Sequence, residues 1–96
     1  GARARSKIRS VSKTITDKLY ALGRKYHGSK SEATNAALDA AMAEGLELTG
    51  KTTYREFQGN ETTIFEMENA DGKLYYLTIG TYEMQSGRYE LTSYIS

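Results

Sequence analysis

Residues 71–95 read DGKLYYLTIGTYEMQSGRYELTSYI, and this stretch decides the fold. Two runs of strand-forming residues flank Ser86-Gly87, and Asp71-Gly72 opens the first of them. Such pairs mark tight hairpin turns, because glycine accepts a left-handed backbone there. In the second run Tyr89, Leu91, Ser93 and Ile95 alternate with Arg88, Glu90, Thr92 and Tyr94. A period of two gives a strand with one apolar and one polar face. The first run alternates as Tyr75, Leu77 and Ile79, then breaks step towards Tyr82 and Met84 with Gly80 at the break, which predicts a bulge. Working back along the chain, Gly59-Asn60 separates two further runs of the same kind. The predicted strands are 51–57, 62–69, 73–84 and 88–95, and their connections are too short for crossovers, so the sheet must be an antiparallel meander.

Upstream the periodicity changes. Ile8, Val11, Ile15, Leu19, Leu22 and Tyr26 recur at three- and four-residue intervals and predict one amphipathic helix, with Gly28 as the residue that ends it. Arg3 and Arg5 fall before that stripe, on a predicted flexible arm. Ser29-Lys30-Ser31-Glu32 matches the capping box that opens a helix, and Gly45 is placed to close it after Glu44. Ala33, Ala36, Ala37, Ala40 and Ala41 give this second helix a smooth packing face, with Leu38 and Met42 as a ridge beside it. The predicted class is α+β: two N-terminal helices packed on one face of a four-stranded antiparallel β-meander. A single domain covers 1–96, with the basic arm over 1–6, helices over 7–45 and the sheet over 51–96.

Composition excludes several chemistries. The 96 residues include no cysteine, which removes disulfides and thiolate sites and leaves either redox compartment open. A single histidine, His27, argues against a protein-only zinc site, and no metal or cofactor is expected. No apolar run approaches the roughly 20 residues of a membrane span. The chain begins Gly-Ala-Arg rather than with methionine, as expected of a domain cut from something larger.

The formal charge of +1 hides an uneven division. Residues 1–31 hold nine bases (Arg3, Arg5, Lys7, Arg9, Lys13, Lys18, Arg24, Lys25 and Lys30) against Asp17, a net +8. Residues 32–96 hold four bases against eleven acids, a net −7. Clustered cations neutralise phosphates and release counterions, so the expected partner is RNA or another nucleic acid, gripped by Arg3, Arg5, Arg9, Lys13, Lys18, Arg24 and Lys25. An RNA target makes cytoplasmic action the expectation.

RNA brings its own nucleophile, the 2′-hydroxyl. Metal-free cleavage then needs a base, cations for the developing phosphorane charge and an acid for the leaving oxygen. Glu56 supplies a base, Arg55, Lys51 and Arg88 the cations, and Tyr94 or His27 a proton donor. Each has a plainer reading. Glu56 can pair with a neighbouring arginine, His27 can cap a helix end, and Glu66, Glu68 and Glu90 read as the wet face of a sheet rather than a metal cluster. The eight tyrosines offer stacking surfaces for unpaired bases, although many belong to ordinary strand packing.

The order helix, helix, antiparallel meander resembles the barnase-like ribonuclease fold shared by several bacterial toxin domains. The run Gly50-Lys51-Thr52-Thr53-Tyr54-Arg55-Glu56 is similar to the family segment that sets a catalytic glutamate on the first central strand, which implies that role for Glu56. The family's histidine on the last strands has no counterpart between Tyr89 and Ser96, so Arg88 or Tyr94 would substitute. The resemblance also implies an inhibitory or immunity protein as partner. Three readings therefore stand: a metal-independent endoribonuclease of toxin type, a non-catalytic nucleic-acid-binding domain, and a protein-interaction domain.

Overall fold

The computed structural model describes residues 2–57 and 60–96, with side chains over 12–56 and 60–96. It is an α+β domain with two helices, α1 (Ala2–Gly23) and α2 (Lys30–Met42), and five strands. The strands are β1 (Tyr26–His27), β2 (Glu47–Phe57), β3 (Asn60–Glu68), β4 (Leu74–Glu83) and β5 (Tyr89–Ile95). They form one antiparallel sheet in the order β1-β5-β4-β3-β2.

The sheet thus has five strands rather than four. Tyr26 does not continue the helical stripe. It pairs with Glu90, and His27 with Tyr89, as a two-residue edge strand beside β5. The helix stops at Gly23, where the chain lies against β5: a Cβ on Gly23 would come within 3.2 Å of the Leu91 carbonyl oxygen. Gly28 accordingly does not end α1. Its N–H donates to the Glu32 carboxylate at 3.1 Å, one residue before the cap. At the other end, α1 begins at Ala2, so Arg3 and Arg5 belong to the helix rather than to an arm before it. Alanine, arginine and lysine are good helix formers, and no glycine or proline interrupts 2–22.

The start of α2 follows the sequence closely. Ser29 Oγ accepts from the Glu32 N–H at 3.1 Å, satisfying one of the four donors a helix start leaves open. Its end is a Schellman motif. Gly45 takes φ +90°, its N–H donates to the Met42 carbonyl, and the Leu46 N–H reaches back to Ala41. Leu46 and Ala41, joined by that bond, are both buried.

Two hairpins share one turn chemistry. Gly72 donates to the Asn69 carbonyl and Gly87 to that of Met84, and both glycines have positive φ, as a type I turn followed by a glycine bulge requires. The turn expected at Gly59-Asn60 lies outside the described residues at its first position. The bulge expected at Gly80 is absent: pairing runs unbroken from Thr62 through Gly80 to Thr92. The irregularity lies instead in β2, where the register shifts between Leu48 and Thr52 around Gly50 at φ +95°. Strand pairing accordingly starts at Glu47, before the expected position 51.

Opposed residues of antiparallel strands share a face, so the pairing register sorts the sheet. Met67, Tyr75, Leu77, Ile79 and Leu91 lie on one face and join Ile15, Leu19, Ala33, Ala37 and Ala41 in the core. Leu22 packs against that cluster while staying partly exposed. The helices sit over β4 and β5. The other face, called the open face below, carries Tyr76, Thr78, Gly80 and Tyr82 of β4 with Thr92 and Tyr94 of β5.

Candidate functional site

The pleat separates the residues that sequence reasoning grouped for cleavage. Arg55 lies opposite Thr62 and Glu56 opposite Glu61, so these neighbours point to opposite faces. Glu56 is on the helix side and Arg55 on the open face with Tyr94. The strand carrying them, β2, is an edge of the sheet and not a central strand. Tyr94 is reached from β2 only through the row Thr53, Ile64, Thr78, which puts it three strand spacings away, about 14 Å. Arg88 is exposed in the β4–β5 hairpin, where its carbonyl accepts from the Met84 N–H at 2.7 Å. His27 lies across the whole sheet from Glu56, four spacings or about 19 Å. Its Nε2 donates to the Leu22 carbonyl at 3.0 Å, which caps the end of α1. Lys51 stands 4.0 Å from Glu66, whose other carboxylate oxygen accepts from Thr49 at 2.9 Å. These six residues do not converge on one phosphate.

The acidic residues do not converge either. Glu66 and Glu68 share the open face, but Glu90 lies opposite Tyr82 while Glu66 lies opposite Tyr76, about 20 Å along the strand. Among the described residues no group of three or more carboxylates or imidazoles is close enough to hold a metal ion.

One polar network does form, and sequence reasoning did not single it out. Glu61 sits opposite Glu56 on the helix side and pairs with Lys30 of α2. Hydrogen bonds from Lys30 and Tyr54 hold its carboxyl below the usual carboxylate value. The same contact raises the Tyr54 phenol above its ordinary value, with desolvation and the charges of Glu61 and Glu56 adding to it. The network ties the start of α2 to the β2–β3 hairpin across 31 residues of chain.

The cationic set lies on and just after α1. Arg3, Arg5 and Arg9 are in the helix, and their side chains lie outside the described residues. Lys13, Arg24 and Lys25 are exposed, and no carboxylate lies within ion-pair distance of them among the described residues. Arg24 stacks over the Tyr20 ring at 5.8 Å. Lys18 differs: it bonds Glu44 at 2.8 Å and is partly covered. Its charge is engaged within the domain, pinning α1 to the end of α2. No described helix is long and apolar enough to cross a membrane. Comparison with known proteins found no matching family model, no matching curated protein and no matching solved structure.

Proposed function

We propose that this domain binds nucleic acid through the outer surface of α1, gripping phosphates without cleaving them. The observation that carries this reading is the continuity of the helix. From Ala2 to Gly23 a single element holds Arg3, Arg5, Lys7, Arg9, Lys13 and Lys18 with Asp17 as its lone acid, and Arg24 and Lys25 follow directly. A 22-residue helix is about 33 Å long, close to one turn of a duplex, so its cations meet several phosphates at once. Ile15 and Leu19 anchor the helix to the core, and over the part of α1 whose side chains are described Lys13, Asp17 and Tyr20 on its other side are exposed. The acids that would neutralise it are carried mainly by the sheet and by α2. Lys18 is excluded from the contact set by its bond to Glu44.

Binding is preferred to endoribonuclease action because Glu56, Arg55, Lys51, Arg88, Tyr94 and His27 are spread over both faces and both edges of the sheet. The test is a fluorescence-anisotropy titration of labelled single-stranded and duplex RNA and DNA. Replacing Arg3, Arg5, Arg9 and Lys13 together by glutamine is expected to weaken binding and make its salt dependence shallower by about one unit per lost phosphate contact. The parent domain is expected to leave total RNA intact. Equal affinity for the parent and the fourfold variant sinks the interface. Cut RNA with 2′,3′-cyclic ends reinstates the enzyme.

A further inference from the structure

We propose that the open face of the sheet carries a second site, independent of the α1 surface, for one unit of a neutral saccharide. A hollow of about 300 Å³ opens over Gly80 in the middle of β4. This is the lower end of the ~300–1,000 Å³ typical of small-molecule sites. Tyr82 and Tyr94 border it, both more than half exposed, and Thr62, Thr78 and Thr92 surround the glycine with hydroxyls. Asn60 adds an amide at one end.

The glycine is the informative residue. Gly80 does not have a positive φ, and both of its ladder neighbours, Thr62 and Thr92, are in register. A Cβ there would meet the Glu61 and Thr92 carbonyl oxygens at 3.8 Å, which is ordinary contact. The fold therefore has room for a side chain at this position and no backbone need for glycine. Glycine inside a central strand weakens it, and a strand keeps one where a bulge, a bend or a closely approaching partner demands it. With pairing regular, the approaching partner is the remaining reason. Any larger residue would fill the floor of the hollow.

The lining selects the occupant. Threonine hydroxyls both donate and accept, and the Asn60 amide does the same, which suits the vicinal hydroxyls of a sugar. Tyrosine rings offer flat apolar faces with a polar tip, matching the C–H face of a pyranose. Among the described residues no cation lines the hollow, and Glu61, which borders it, turns its carboxylate to the helix side and to Lys30. Among the strand residues of the open face, Lys51 and Arg55 are outnumbered by Glu47, Glu66, Glu68 and Glu90. At the hollow itself the nearest open-face charges are Arg55, in the row Arg55, Thr62, Gly80, and Glu90, opposite Tyr82. They are one of each sign, so no net charge draws in an anion and an uncharged sugar is the better fit.

The test is a ¹⁵N-NMR titration of the intact domain with cellohexaose, chitohexaose, maltohexaose, laminarihexaose and mannohexaose, with an oligouridylate as control. Saturable shifts centred on Thr78–Tyr82 and Thr92–Tyr94 are expected with at least one sugar, with a Kd of about 1 mM or below. Gly80→Val is expected to weaken that binding more than about tenfold while leaving the melting temperature equal or higher, because a β-branched residue suits a regular strand. Tyr94→Ala, at an exposed position, gives the same loss without touching the core. No shift with any of the five sugars overturns the proposal. So does saturation of the same residues by oligouridylate instead, or Gly80→Val binding as tightly as the parent. The α1 surface stands or falls separately, since its fourfold variant leaves this hollow untouched.

Discussion

Replacing Leu19 by alanine probes the joint between α1 and the sheet. Leu19 is 2% exposed and belongs to the cluster that includes Ile15, Leu77, Ile79 and Leu91. Removing its three terminal carbons loses the transfer energy of those atoms and leaves a cavity, a combination worth about 2–5 kcal/mol. The surroundings favour the upper half. Ala33, Ala37 and Ala41 line the same cluster, and alanine has no rotamer with which to close a gap. A loss of about 3–4 kcal/mol is expected, a large part of the ~5–15 kcal/mol available to a domain of this kind. At roughly 4–8 °C per kcal/mol for a chain of this size, the melting temperature should fall by well over ~10 °C. Urea unfolding followed by circular dichroism measures it, with Leu22→Ala as the internal comparison. Leu22 is only partly buried and should lose clearly less. A Leu19→Ala loss below about 1 kcal/mol, or a ranking in which Leu22 matters more, refutes the assigned packing face.

Three further outcomes follow from particular atoms. Ser93 Oγ is buried and has no hydrogen-bond partner among the described residues, so Ser93→Ala is expected to be neutral or to stabilise by up to about 1 kcal/mol in the same urea assay. Gly45→Ala forces a side chain into φ +90° at the end of α2 and is expected to destabilise by about 1 kcal/mol or more, read as a lower unfolding midpoint. The Glu61 carboxyl titrates below its unfolded value of 4.5, so its contribution is present above that pH and is lost as the pH falls through the lower folded value. Glu61→Gln is therefore expected to flatten the acid limb of the stability profile below about pH 5 and to leave the profile near neutral pH parallel to the parent.

How much of this was legible in the sequence depended on the range of the interaction. The stripe through Ile15, Leu19 and Leu22, the Ser29–Glu32 cap, the Gly45 stop and the turns at Gly72 and Gly87 are set by residues within a few positions of one another, and they can be read locally. The strand at Tyr26–His27 cannot. Tyr26 keeps helical spacing from Leu22, and only the pairing of Tyr26 with Glu90 and of His27 with Tyr89, more than sixty residues on, makes the segment a strand. The regular pairing at Gly80 is hidden for a related reason. Thr81 and Glu83 continue the helix-side alternation of Tyr75, Leu77 and Ile79 in polar form, so the pattern changes hydrophobicity without changing step.

The candidate site suffered most. Arg55 and Glu56 are adjacent in sequence, and the pleat puts them on opposite sides. Strand order, which makes β2 an edge and places Tyr94 three strands away, leaves no local mark on composition. The open-face hollow had a signal that could have been followed. Tyr76, Thr78, Gly80 and Tyr82 occupy one face of β4, and a glycine there without a bulge points to something that must come close.

A phosphate-gripping surface on α1 reveals itself in the salt dependence of binding. The parent domain is titrated against a labelled 20-mer RNA and its duplex DNA counterpart between about 50 and 200 mM salt. Affinities are expected to fall steeply and log-linearly, with a slope of about −4 to −5 for the duplex, since about five of the α1 cations would meet phosphates. Absence of binding at the low-salt end, or a slope near zero, contradicts a phosphate-gripping α1.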